Sequence, residues 1–84
     1  LPFLFSLEIP ESISSSGIKF LDLGDNVNYI IPPQVHGNMT STGSVSYIYD
    51  YYIHDITTTG FHIDFSDVIS ESGHSIDLAI FKKA

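Results

Sequence analysis

The stretch that decides the fold is Thr58-Thr59-Gly60-Phe61-His62-Ile63-Asp64-Phe65-Ser66-Asp67-Val68-Ile69-Ser70-Glu71-Ser72-Gly73-His74-Ser75-Ile76-Asp77-Leu78-Ala79-Ile80-Phe81-Lys82-Lys83-Ala84. Phe61, Ile63 and Phe65 alternate with His62, Asp64 and Ser66. Ile76, Leu78 and Ile80 alternate in the same way with Asp77, Ala79 and Phe81. Residues two apart on a strand share a face, so each run reads as a β-strand with one apolar side. Pairing the two runs with one another gives a ribbon with an apolar face and a mixed face.

Working outward, Phe3, Phe5, Leu7 and Ile9 form an alternating first strand that Pro10 stops by removing a backbone donor. Ser12 to Gly17 is a polar turn region. Ile18 to Leu23 reads as a second strand closed by Gly24-Asp25-Asn26, and Val27 to Ile31 as a third ended by Pro32-Pro33. Pro32 to Gly43, with its prolines, glycines and hydroxyls, reads as a surface loop. Ser44 to Ile56 is the longest candidate strand, with Val45, Tyr47, Tyr49, Tyr51 and Ile53 on one face. Thr57 to Gly60 is a turn, and Asp67 to Gly73 a connection in which Gly73 takes the positive φ. No segment sustains a 3.6-residue period. The expected fold class is therefore all-β: residues 1-84 as one small antiparallel β-sandwich, jelly-roll-like, of five to seven strands.

Eighty-four residues bury only a modest share of their apolar surface, and small domains are commonly reinforced by disulfides, metals or assembly. There is no cysteine, which leaves the other two. Hydrophobic residues make up 43% of the chain, which suggests an apolar face shared with other subunits. Phe61, Ile63, Phe65, Ile76, Leu78 and Ile80 are the candidates for core and subunit packing. The formal charge of −7, with three lysines and no arginine, argues against nucleic acid and anionic membranes as partners. No apolar run approaches the roughly 20 residues of a membrane helix, so no membrane insertion is expected.

Four histidines invite a metal reading, and His62 and Asp64 share a strand face, but His36, His54 and His74 lie on other segments; ordinary histidines are the simpler reading. Asp22, Asp25, Asn26 and Asn28 surround Gly24 without the spacing of a calcium loop, and a turn accounts for them. Neither a metal nor another cofactor is expected. Serine, histidine and aspartate are abundant but fall in no catalytic motif, so an enzyme is not expected. Tyrosine suits sugars because its ring stacks on a pyranose while its hydroxyl bonds to those of the sugar. Tyr52, on the more polar face of its segment beside Asp50 and His54, is the candidate ligand-facing tyrosine, whereas Tyr47, Tyr49 and Tyr51 are expected to pack.

The run Thr59-Gly60-Phe61-His62-Ile63-Asp64-Phe65-Ser66, followed by Glu71-Ser72-Gly73-His74 and the apolar strand Ser75 to Lys82, resembles the C-terminal ends of bacteriophage tail-fibre and tailspike proteins, where such a hairpin closes a compact β-structured tip. The resemblance covers about the last 25 residues. It departs from family tips that end in Trp-x-Ala-x-Gly, since this chain ends Ala79-Ile80-Phe81-Lys82-Lys83-Ala84. It implies a homotrimeric β-sandwich, the C-terminal fragment of a longer chain, located at the virion tail in the extracellular space. The implied role is recognition of host-surface polysaccharide or locking of the trimer. An accessory carbohydrate-binding module of a secreted enzyme is the alternative.

Overall fold

Alternation of apolar and polar residues at period two produces six strands in the computed structural model, which describes residues 1–83. They are β1 (Phe3–Glu8), β2 (Ser15–Lys19), β3 (Gln34–Ser41), β4 (Tyr51–His54), β5 (Gly60–Phe65) and β6 (His74–Phe81). One turn of 3-10 helix, Leu21–Leu23, follows β2. The strands form two antiparallel three-stranded sheets, ordered β1-β6-β3 and β2-β5-β4. All-β architecture with two sheets around a single core is what the alternation predicted.

The two decisive strands do not pair with one another. β6 is the centre of the first sheet, with Phe5 opposite Leu78 on one side and Gly37 opposite Leu78 on the other. β5 is the centre of the second, with Ser16 and Ile53 flanking Ile63. Asp67 to Gly73 thus carries the chain from one sheet to the other instead of closing a ribbon. Gly73 takes the expected positive φ, 102°. The inner rows Phe61, Ile63, Phe65 and Ile76, Leu78, Ile80 are all buried in the core, joined by Ile9, Phe20, Leu23, Tyr29 and Ile69. These six side chains are therefore occupied within the protomer, and their burial calls for no second subunit.

Four expected segments are rearranged. The second strand runs over Ser15–Lys19, beginning inside the expected Ser12 to Gly17 turn, because Ser16 and Ile18 pair with Ile63 and Phe61 of β5, and the rest of the expected Ile18 to Leu23 strand is the 3-10 turn Leu21–Leu23. Gln34–Ser41 is a strand, not a loop, because Val35 and Met39 turn inward opposite Ile80 and Ile76, with Gly37 between them at the close approach to sheet two. A Cβ on Gly37 would lie 2.8 Å from the Ile53 side chain. Val27 to Ile31 forms no strand: Tyr29 turns into the core, 4.9 Å from the Phe20 ring, and the Asp25 carboxylate accepts from the Tyr29 hydroxyl and the Val27 N–H. The predicted strand from Ser44 to Ile56 is cut to Tyr51–His54. Its first part is held instead by Glu71, whose carboxylate accepts the backbone N–H groups of Ser46 and Tyr47 at 2.8 and 3.1 Å.

The body is elongated, 41 × 21 × 18 Å, with a Cα radius of gyration of 13.1 Å. A compact chain of this length would be nearer 12 Å by the usual scaling. One backbone approach fixes the end where β2 meets β5. A Cβ on Gly60 would lie 2.3 Å from the Ile18 carbonyl oxygen and 3.1 Å from Lys19 Cα, so the obstruction is backbone and cannot swing aside. Gly60→Ala is expected to cost about 3 kcal/mol, the upper end for overpacking, read as a fall in the urea midpoint at unchanged slope. A midpoint within error of the parent would contradict this packing. Phe61→Ala is expected to cost about 3–5 kcal/mol in the isolated protomer.

Candidate functional site

The short β4 strand and its partner β5 define an exposed face on sheet two. Alternation sends Tyr51 and Ile53 inward, so Tyr52 and His54 point out, and the register sets Tyr52 opposite Asp64 and His54 opposite His62. The outer face thereby carries a row of three rings. Tyr52 and His54 stack with centroids 5.5 Å apart and planes 14° from parallel, and His54 and His62 stack at 5.9 Å and 30°. Tyr52 is 69% exposed.

Carboxylates fix the two imidazoles. His54 Nε2 lies 2.9 Å from Asp64 Oδ2, and His62 Nδ1 lies 3.3 Å from Asp55 Oδ2. Asp55 has a left-handed backbone, φ 54°, at the start of the β4–β5 turn, a conformation aspartate tolerates better than most residues. On the other side of His62 stands Gly17, where a Cβ would meet the ring at 3.1 Å. Each ring is thus gripped at its edge and supported on its face. Because the pairs are solvent-exposed, their value is orientation more than stability. Each histidine turns a nitrogen toward its own carboxylate, and among the described residues no three potential metal-ligating side chains converge.

Asp50 enters from the segment before β4. Its N–H donates to Ser66 Oγ at 3.1 Å and its carbonyl accepts the Ser66 N–H at 2.9 Å, which ties it to the end of β5. Asp50, Tyr52 and Asp64 line one shallow depression with Ser66, of about 200 Å³. The trio singled out in the sequence is therefore gathered: Asp50 and Tyr52 share the depression, and His54 adjoins it through Asp64. Asp64, Asp55 and His62 complete the face. The sequence marked Asp64 and His62 only as same-face neighbours, and the offset across the turn that brings Asp55 to His62 had no sequence signal.

The remaining tyrosines diverge. Tyr51 reaches across to the first sheet, its hydroxyl donating to the Gly37 carbonyl at 2.7 Å, and so satisfies an acceptor on the open edge of β3. Tyr49 packs edge-on against the buried His74 ring, 5.1 Å between centroids, and its hydroxyl lies 2.8 Å from Ser70 Oγ. Tyr47 is 58% exposed.

Glu71 anchors the segment that leads into the face. Partial desolvation raises its pKa, but the Tyr47 N–H, the His74 side chain and the Ser46 N–H more than offset this, leaving it below the usual 4.5. A carboxylate whose folded-state pKa is depressed contributes stability above its unfolded value and loses it as pH falls through the folded value. Thermal melts from neutral to acid pH should therefore show Glu71→Gln less stable than the parent at neutral pH, with the difference closing as pH falls from the ordinary glutamate value through the lowered folded one. A difference that stays constant over that range would remove Glu71 from the acid response. No protein-family model matches the chain, and no curated protein or solved structure is significantly similar to it.

Proposed function

We propose that this chain is an attachment domain, the C-terminal tip of a trimeric phage tail fibre or spike, that recognises host-surface carbohydrate in the extracellular space without catalysing a reaction. The observation that carries the reading is the ring row Tyr52, His54 and His62 on an exposed sheet face, flanked by Asp50, Asp64 and Asp55. A flat aromatic surface stacks on the apolar face of a sugar ring, and flanking carboxylates accept from its hydroxyls. The sequence resemblance at Thr59 to Lys82 points the same way. So does the −7 charge, which favours a neutral saccharide over a phosphate polymer.

A shallow platform binds weakly, so attachment through it depends on several copies acting together. Assembly would use the apolar side chains that remain exposed, among them Leu4, Ile30 and Ile31, because the inner rows of β5 and β6 are already buried. Sedimentation equilibrium at several concentrations should give the mass of a trimer. A monomer throughout would overturn the trimeric tip and favour an accessory carbohydrate-binding module.

Titration with purified host polysaccharide tests recognition. Saturable binding is expected, and Tyr52→Ala should weaken it about tenfold, equivalent to about 1.4 kcal/mol, without changing the melting temperature. Binding by the parent that survives Tyr52→Ala intact would move recognition off this face. No saturable binding by an intact trimer would leave the domain a structural cap.

A further inference from the structure

A second recess lies at the other end of β5, where the segment after β2 folds past the β4–β5 turn. It encloses about 530 Å³, within the usual range for small-molecule sites of roughly 300–1,000 Å³. Its floor is aromatic, Phe20 and Tyr29, and Leu21 and Val27 add apolar surface at the rim. Lys19, Asn26, Asn28 and Thr58 bring polar groups to it, and among the described residues none of these four side chains hydrogen-bonds to another protein group.

Both walls are held before any ligand arrives. On one side, Asp25 is 4% exposed; its carboxylate accepts from the Val27 N–H at 3.0 Å and from the Tyr29 hydroxyl, and its own N–H donates to the Phe20 carbonyl at 3.1 Å. On the other, Thr57 Oγ1 accepts the N–H groups of Thr59 and Gly60, each at 3.2 Å, and donates to the Gly60 carbonyl. The Phe20 N–H donates to the Thr59 carbonyl at 3.0 Å and joins the walls. A buried carboxylate is a costly way to shape a surface loop when an apolar residue would pack as well. Here it sets the segment from which Asn26 and Asn28 project, and burial together with the Asp25 bond and charge hold the Tyr29 phenol well above its ordinary pKa, in its donating form.

We propose that this cleft is a second carbohydrate-binding site, taking one neutral saccharide unit. Two amides, a hydroxyl and an ammonium give and accept hydrogen bonds in the mixture that neighbouring sugar hydroxyls require, and Leu21 and Val27 match the C–H face of the ring. A phosphate would find a single lysine in a chain of charge −7. Tyr52 lies opposite Asp64, five residues along the chain from Thr59 in the cleft, roughly 17 Å at the rise of a strand, so a polysaccharide could engage both. The inference shares its ligand class with the attachment reading but rests on separate residues.

The test is an amide-resolved NMR titration of the intact chain with glucose, galactose, mannose, N-acetylglucosamine and dextran. Saturable shifts are expected at Lys19, Asn26, Asn28 and Thr59 with at least one of these probes, and Lys19→Ala with Asn28→Ala, both exposed and without side-chain partners, should weaken them tenfold or more while the rest of the spectrum is unchanged. Shifts that persist in that double variant overturn the site as assigned. Shifts confined to Asp50, Tyr52 and His54 overturn the cleft and leave the attachment reading standing. Shifts confined to the cleft support this site and remove the Tyr52 face, and no shifts anywhere overturn both.

Discussion

Everything in this fold depends on two central strands burying their inner rows in one core. β5 and β6 are each hydrogen-bonded on both sides, and Phe61, Ile63, Ile76, Leu78 and Ile80 are at most 2% exposed. A sheet that is apolar on one face must bury that face against another layer, and each sheet here covers the apolar face of the other. The flanking strands contribute less: Phe3, Phe5, Leu7, Val35, Met39, Ile18, Tyr51 and Ile53 are only partly buried against that core. Without disulfides, stability rests on this double layer and on polar ties that close its ends.

Those ties share one logic, in which a side chain supplies what a missing strand would have supplied. Glu71 takes the N–H groups of Ser46 and Tyr47 where no neighbouring strand accepts them, Tyr51 donates to the outward carbonyl of Gly37 at the edge of β3, and Asp25 caps the Val27 N–H in the segment after the 3-10 turn. An unpaired backbone group near a core is costly, so a chain with short strands needs such substitutes. Ties of this kind also position the surfaces proposed for recognition. Asp50 is held by Ser66, and Asn26 and Asn28 flank the segment that Asp25 fixes.

What the sequence disclosed was the face of each strong strand, and what it withheld was the partner. Alternation at Phe61 to Phe65 and at Ile76 to Ile80 assigns inner and outer residues correctly, but period two is blind to whether neighbouring runs pair or lie in opposite sheets. Gln34 to Ser41 reads as a loop because its glycine, asparagine and hydroxyls mimic one, although Val35, Gly37 and Met39 keep the alternation. A central partner, β6, outweighed propensity there. Val27 to Ile31 failed in the opposite sense: its apolar residues suggest a strand, yet the Asp25 to Tyr29 bond turns the segment back on itself. Of the exposed face, Tyr52 and His54 were legible as residues two apart, while their neighbours His62, Asp55 and Asp64 depended on the register across the turn.

The register also explains why the ring row can exist on an open surface. Non-adjacent aromatics on a flexible loop would sacrifice side-chain freedom to align, whereas strand neighbours start close to alignment. Tyr52 and His54 are two apart on β4, and His62 faces His54 across the ladder, so the backbone has already set their spacing. Asp64 and Asp55 then restrict the two imidazoles, and the glycine at position 17 leaves room for His62 to lie over β2. A platform assembled this way would meet the proposed ligand with little further ordering to do, which is the condition under which a shallow contact can contribute measurable affinity.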